Sequence, residues 1–309
     1  MDLLSDILDS LALQGQLYFR TCFNSPWAVA VPDYPAAIRF HYAVQGECFV
    51  RVDDEAPVHL QQGDLVLVPA GTAHSISDTK DRRPAELESV MRDSGYSGSG
   101  TFVLGEGCDD KATQLMCGHF SFAQGGNHPL LRSLPAMLHV SAGKRSQAFW
   151  LDEALRLMAR QMPESDPGST AVVRRMSEII FIETIRCCSD QSDQLAGLMA
   201  ALTDQRISRA IQAMHNDVAM QWTVEALARE AAMSRSRFAE RFQALVGCGP
   251  LTYLAEWRLQ KARALLQDNR ISVQEIAGRV GYQSPAAFTR AFANMFGESP
   301  TRFRANLAA

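Results

Sequence analysis

The pattern of hydrophobic and polar positions changes character twice along this chain. Leu3, Leu4, Ile7, Leu8 and Leu11 recur at helical spacing and predict a short amphipathic helix. From Gln16 to about Ser141 the pattern breaks into short apolar runs at 17–22, 27–31, 38–44, 48–52, 65–68, 101–104 and 114–122. Gly46, Gly63, Pro69 and Gly71 punctuate them, and many short strands with regular turns predict a sandwich or barrel. Inside this block, residues 78–100 are polar and predict an exposed, mobile loop. Helical spacing returns over 147–161 and, after the breaker at 163–168, over 170–188. The second of these helices is apolar around much of its girth and should be buried on more than one side. The pair would fill its own domain or make a dimer seam. Residues 189–194 are polar, and from Thr203 onward the chain reads as helical throughout. The organisation predicted is a first domain over 1–190, with a barrel at about 16–141 and helices at about 147–188. A linker over 191–203 and a helical domain over 204–309 follow.

The last block repeats itself. Val224-Glu225-Ala226-Leu227-Ala228 matches Val273-Gln274-Glu275-Ile276-Ala277 at an offset of 49, and Phe238 through Phe242 matches Phe288 through Phe292 at an offset of 50. Gly247 with Gly297 and Pro250 with Pro300 keep the second offset, so one residue is gained at the turn inside the second copy. In that copy Ser272 and Glu275 form a capping box, Ser284 caps the next helix, and Pro285 takes its first position. Thr223 and Ser234 play the capping parts in the first copy. A long helix over 251–267 separates the two. Two helix–turn–helix units on one spacer can enter successive major grooves of B-DNA, which recur every ~34 Å.

These residues resemble the AraC/XylS family of transcriptional regulators, and most specifically so in Ile276-Ala277, Gly281-Tyr282-Gln283-Ser284, Phe288, Phe292, Phe296-Gly297 and Ser299-Pro300. The likeness covers about 100 C-terminal residues without gaps. It implies a double-stranded DNA partner, with the first reading helix presenting Arg235, Ser236, Arg237, Ala239 and Glu240. The second presents Pro285, Ala286, Thr289 and Arg290. The Arg290 guanidinium fork suits guanine or phosphate. Ala239 and Glu240 depart from a common pattern of polar or basic residues there, and Glu240 would repel phosphate while accepting from cytosine. Like most of that family, the chain is expected to activate transcription alongside RNA polymerase.

Earlier in the chain, Gly63-Asp64-Leu65-Val66-Leu67-Val68-Pro69-Ala70-Gly71-Thr72-Ala73-His74 resembles the second motif of the cupin barrel. Catalytic cupins add two histidines and a glutamate on earlier strands. The matching stretch here, Pro32 to Pro35 with Ile38-Arg39, holds none of them. His41 lies in a strand and approaches His74, but two histidines without a carboxylate make a poor zinc or iron site. The fold class expected is therefore α+β: a cupin-like β-barrel with flanking helices, then an all-α double helix–turn–helix domain. The barrel reads as a sensor that holds neither metal nor cofactor, rather than as a DNA-tethered, metal-dependent cupin enzyme.

Composition changes the picture in two places. The net charge of −4 divides into +5 over residues 200–309 and −9 over the rest, so only the last block is suited to a polyanion. Seven cysteines without a CxxC argue against a disulfide framework. Cys22 and Cys117 lie in barrel strands, and Cys117 shares a strand face with His119. They are either a redox pair or buried inert thiols. The effector candidates are thus His41, His74, Cys22 and Cys117, with a small molecule or an oxidant as the signal. No apolar run reaches the ~18–20 residues of a membrane span. The start Met1-Asp2-Leu3-Leu4 lacks a basic region, so a cytoplasmic location is expected, and the broad apolar face of 170–188 leads to the expectation of a homodimer.

Overall fold

A computed structural model describes residues 2–11, 13–34, 37–53, 55–122, 128–143, 149–161 and 167–307. Pro35 of the cupin comparison, residues 147–148 of the first predicted helix and most of the 163–168 breaker lie outside them. The chain divides into two compact units. One comprises Leu13–Gly126 and Leu134–Gln191; the other comprises Met1–Ala12, Asn127–Ser133 and Ser192–Ala309. The division departs from the contiguous blocks expected from the sequence. The first helix, α1 (Leu3–Leu11), and the short α3 (Pro129–Arg132) belong with the C-terminal helices.

Among the described residues the first unit holds all the strands, in two sheets. One runs in the order β11 (Leu138–Val140), β6 (Leu65–Val68), β3 (Ala37–Gln45), β10 (Gln114–Phe122), β1 (Leu13–Phe23), β9 (Thr101–Leu104). The other runs β5 (Val58–Leu60), β4 (Cys48–Val52), β7 (His74–Ser77), β2 (Ala28–Val31), β8 (Ala85–Glu86). Their inner faces meet in one apolar cluster that includes Phe23, Val29, Val50, Val66, Ile76 and Phe102. This is the cupin-like flattened barrel expected. The polar stretch 78–100 is only in part a loop: Leu87, Val90 and Met91 fall on one face of α2 (Leu87–Asp93) and pack against that core. Outside, α4 (Phe149–Gln161) and α5 (Ser169–Cys187) pair with each other, and α5 lies on β1. Gly15 permits that approach, since a Cβ there would stand 1.9 Å from Cβ of Ser177.

The second unit is helical. Its members are α1, α3, α6 (Asp193–Thr203), α7 (Ile207–Asn216), α8 (Val224–Glu230), α9 (Arg235–Val246), α10 (Pro250–Leu265), α11 (Val273–Arg279), α12 (Pro285–Phe296) and α13 (Pro300–Leu307). The stretch 191–203, expected as a linker, is mostly α6. Leu195, Leu198 and Ala201 bury one face of it, and it packs on α9. Asp6 of α1 accepts from Nδ1 of His215 at 2.5 Å, and Nε2 of His215 lies 2.8 Å from the Tyr253 hydroxyl. Buried His215 also stacks on Trp257 of α10, with ring centres 3.7 Å apart.

The two helix–turn–helix units superimpose in their hydrogen bonds. Thr223 and Ser272 cap α8 and α11 by accepting from Ala226 and Glu275 amides. Met233 N–H donates to Ala228 C=O, and Tyr282 N–H to Ala277 C=O. The left-handed residue before each of these donors is Ala232 (φ 50°) in one unit and Gly281 (φ 85°) in the other. Ser234 and Ser284 then open α9 and α12, so the extra residue of the second copy is Gln283. Glycine suits the second turn twice over: besides its φ, a Cβ on Gly281 would lie 2.8 Å from the Ala219 carbonyl oxygen. Two substitutions at this one station should therefore act oppositely. In urea unfolding, Gly281→Ala should cost about 1–3 kcal/mol, whereas Ala232→Gly should stabilise by roughly 0.5–1 kcal/mol.

Candidate sensor cavity and nucleic-acid interface

Within the barrel, β10 pairs with β3 so that Cys117 stands opposite His41 and His119 opposite Arg39. Side chains two apart on a strand share a face, and Arg39, His41 and Cys117 all line the lumen. All four residues are buried. The lumen is nearly filled: about 20 Å³ of free volume remains, walled by Phe19, Phe23, Val29, Val31, Ile76 and Phe102. That is room for little more than a water.

His74 joins this group from β7. Its Nδ1 lies 2.8 Å from the Thr72 carbonyl, its Nε2 lies 2.7 Å from His41 Nε2, and His41 Nδ1 lies 3.2 Å from Cys117 Sγ. A carbonyl only accepts, so His74 carries its proton on Nδ1 and accepts at Nε2. His41 must then donate from Nε2 and accept at Nδ1, and the Cys117 thiol donates to it. Burial dictates the same neutral states. It presses His74 down to about 4, lowers His41 well below its ordinary range, and lifts the Cys117 thiol to about 12. The Arg39 charge lowers the two histidines further. Both nitrogens of each imidazole are engaged within the chain of bonds. Among the described residues no three His, Cys, Asp or Glu side chains converge as metal ligands.

The cysteines sort differently from the pair named in the sequence. Cys22 is bonded to Cys108, not to Cys117, with Cα atoms 5.7 Å apart. Sequence reading missed Cys108, which lies in the polar turn after β9. Parallel pairing of β9 with β1 sets Val103 against Cys22 and returns the turn to that strand, and such pairing has no local signal. Cys22 is fully buried, whereas the Cys108 residue is exposed. Cys117 and Cys48 are buried thiols, and Cys187 is exposed.

In the helical unit, the N-terminal halves of α9 and α12 face outward. Ser236, Arg237, Glu240, Pro285, Ala286 and Arg290 are exposed, while Ala239 and Thr289 are half-buried. Phe238 and Phe242, like Phe288 and Phe292, turn inward and hold each helix to its unit. Arg235 is tied to Glu225 of α8 at 2.6 Å. No described residue pairs with Arg237 or Arg290. By the repeat offset Arg290 stands where the first unit has Glu240.

Comparison with known proteins agrees with this arrangement. A cupin family model matches residues 2–190, and a helix-turn-helix domain model matches 227–306. The transcriptional regulator AlkR of Acinetobacter baylyi is 31% identical over 306 residues, covering 98% of this chain and 99% of its own. The chain belongs to the AraC-type transcription regulators with an N-terminal cupin domain. An AraC-like transcription regulator of Streptomyces antibioticus is 32% identical, with 98% of both chains covered. The RCS-specific transcriptional activator RclR of Escherichia coli is 27% identical, covering 98% of this chain and 97% of its own. The family is one of regulators, and this protein is a transcription regulator rather than an enzyme. No helix among the described residues is long and apolar enough to cross a membrane.

The neutral histidine chain carries a pH signature. An unfolded His74 titrates near 6.5, the folded one near 4. Below 6.5 the unfolded chain takes up a proton that the folded barrel refuses, so stability present above that pH is lost as pH falls toward 4. The loss attributable to His74 is on the order of 3 kcal/mol. His74→Gln should flatten the fall in unfolding free energy between pH 6.5 and 4.

Proposed function

We propose that this regulator binds a bipartite operator through α9 and α12 and that a thiol–disulfide signal at its barrel controls that binding. The observation that carries the DNA reading is the pair of outward, unpartnered guanidiniums of Arg237 and Arg290 on capped reading helices. Around them Ser236, Ala239, Glu240, Pro285, Ala286 and Thr289 would meet base edges, with Arg290 bidentate to guanine or on a phosphate. Arg235, held by Glu225, would serve as a flanking phosphate contact. Glu240 makes the first unit the weaker phosphate binder and favours cytosine in its half of the site.

The signal reading rests on Cys22–Cys108. The nearly filled lumen does not suit the 300–1,000 Å³ pocket of a drug-sized ligand. The disulfide, by contrast, has one exposed residue that a reductant or oxidant can reach. Its other end is in β1, which begins two residues after α1, a helix built into the DNA-binding unit. A change in β1 therefore has a covalent route to α1, which packs on the spacer helix α10. The reading of the output as activation, with RNA polymerase as partner, is supported by the activator RclR among the relatives. The protein would act in the cytoplasm as a homodimer. Exposed Trp150 and Leu157 on α4, and Val172 and Ile179 on α5, each spaced by two helical turns, support the α4–α5 pair as its seam.

Two measurements test this. On a DNA site selected by the protein from a random pool, Arg290→Ala should weaken binding by about 10- to 100-fold; a phosphate contact would also lower the salt slope by about one. Unchanged affinity and slope would remove Arg290 from the interface. In sedimentation, Ile179→Asp should shift a dimer of the full chain toward monomer, and a wild-type monomer at micromolar concentration would sink the seam.

A further inference from the structure

Arg39 poses a problem that neither DNA binding nor the disulfide accounts for. It is 9% exposed, it lines the barrel lumen, and its Nε is buried without a hydrogen-bond partner among the described residues. No carboxylate lines that lumen, and no described residue makes an ion pair with Arg39. Its neighbours are the rings of Tyr34 and Tyr18, 5.2 and 5.4 Å from the guanidinium carbon. Ring faces recover only part of the hydration that a buried cation gives up. Directly across the β3–β10 pairing stands His119, also buried, whose Nδ1 likewise lacks a partner. His119 stacks on Tyr18 at 4.9 Å and meets Tyr34 edge-on at 5.3 Å. His41, His74 and Cys117 already satisfy one another and the Thr72 carbonyl as neutral species, and the Thr21 hydroxyl accepts from the Leu115 amide. One buried positive charge and two neighbouring nitrogens, Arg39 Nε and His119 Nδ1, are thus left over; Trp27 Nε1 is a further buried nitrogen of that core without a partner among the described residues.

We propose that Arg39 and His119 form a receptor inside the barrel for a small carboxylate monoanion. The charge calls for a single negative partner. The planar guanidinium fork matches a carboxylate in two parallel hydrogen bonds. His119 supplies a further donor from Nδ1 in the tautomer that places its proton there. The nearly filled lumen sets the size, so the guest is the smallest carboxylate, formate, its C–H end toward Phe19, Ile76 and Phe102. The site shares with the proposed function the premise that the barrel is a sensor, but it uses none of the cysteine chemistry. It would give the barrel a second input, a metabolic acid, beside the redox one.

The test is calorimetric titration of the full-length protein with sodium formate and sodium acetate, against sodium chloride at matched ionic strength. Saturable binding of formate is expected, with benzoate excluded by size. Arg39→Gln should raise the dissociation constant by at least about tenfold, as loss of a charge-assisted pair implies. Its melting temperature without anion should equal or exceed that of the wild type, because an unpaired buried charge has been removed. Arg39→Lys, which keeps the charge and loses the fork, should bind between the two and serves if the glutamine variant fails to fold. No saturable carboxylate binding by the wild type, or binding unchanged in the glutamine variant, would overturn the site. The Cys22→Ala, Cys108→Ala double variant should keep carboxylate binding while losing any redox response on DNA, so failure of either input is read separately.

Discussion

The antiparallel placement of β10 between β3 and β1 is the constraint on which the barrel depends. Strand side chains alternate, so a slip of one residue would turn every inward group outward. In the register adopted, His41 faces Cys117 and Arg39 faces His119. Gly118, between those two β10 residues, leaves room on the outer face for the Phe40 ring, which a Cβ would approach to 2.7 Å. The same central strand pairs with β1, which carries Cys22, the buried half of the disulfide. The relay of neutral histidines, the unpaired arginine and the disulfide strand are thus set by two neighbouring ladders.

The two units handle charge in opposite ways. The barrel holds His41, His74 and Cys117 neutral by burial, and Arg39 stands beside them without an acidic partner among the described residues. The helical unit instead neutralises many of its surface cations with nearby acids. Arg241 is bonded to Asp204, Arg279 lies 2.7 Å from Glu275, and Arg270 lies 2.8 Å from Asp268. Such exposed pairs add little stability, and they leave Arg206, Arg209, Arg229, Arg237 and Arg290 without an acidic partner among the described residues. Of these, Arg237 and Arg290 lie on the outward N-terminal halves of the reading helices, which is where a polyanion would find them.

Much of this was legible in the residues. Two copies of a capped helix pair, with glycines and prolines in step, define the C-terminal units because each signal is local. The turn at Gly63–His74 likewise placed His74 in the barrel, and the alternation in β3 placed His41 near it. What escaped the sequence was set by contacts between distant segments. Cys108 is joined to Cys22 only because β9 runs parallel to β1. Residues 191–203 look polar at their start but bury Leu195, Leu198 and Ala201. The first helix reads as part of the barrel block because it precedes it. Its apolar face and Asp6 instead find α7 and α10, more than 200 residues on. Arg39 gave no signal at all, since a lone arginine in a strand is ordinarily at the surface; only its burial without a partner makes it conspicuous.

The central claim is that the state of Cys22 and Cys108 governs how the helical unit holds DNA. Its most direct test is the affinity of the full chain for its selected DNA site, measured by fluorescence anisotropy at fixed salt with the disulfide closed and then reduced. The account predicts a difference in affinity of severalfold or more between the two states, abolished by Cys108→Ala. It also predicts that Cys117→Ala leaves the difference in place. Equal affinity in both states, or a difference that survives Cys108→Ala, would contradict it.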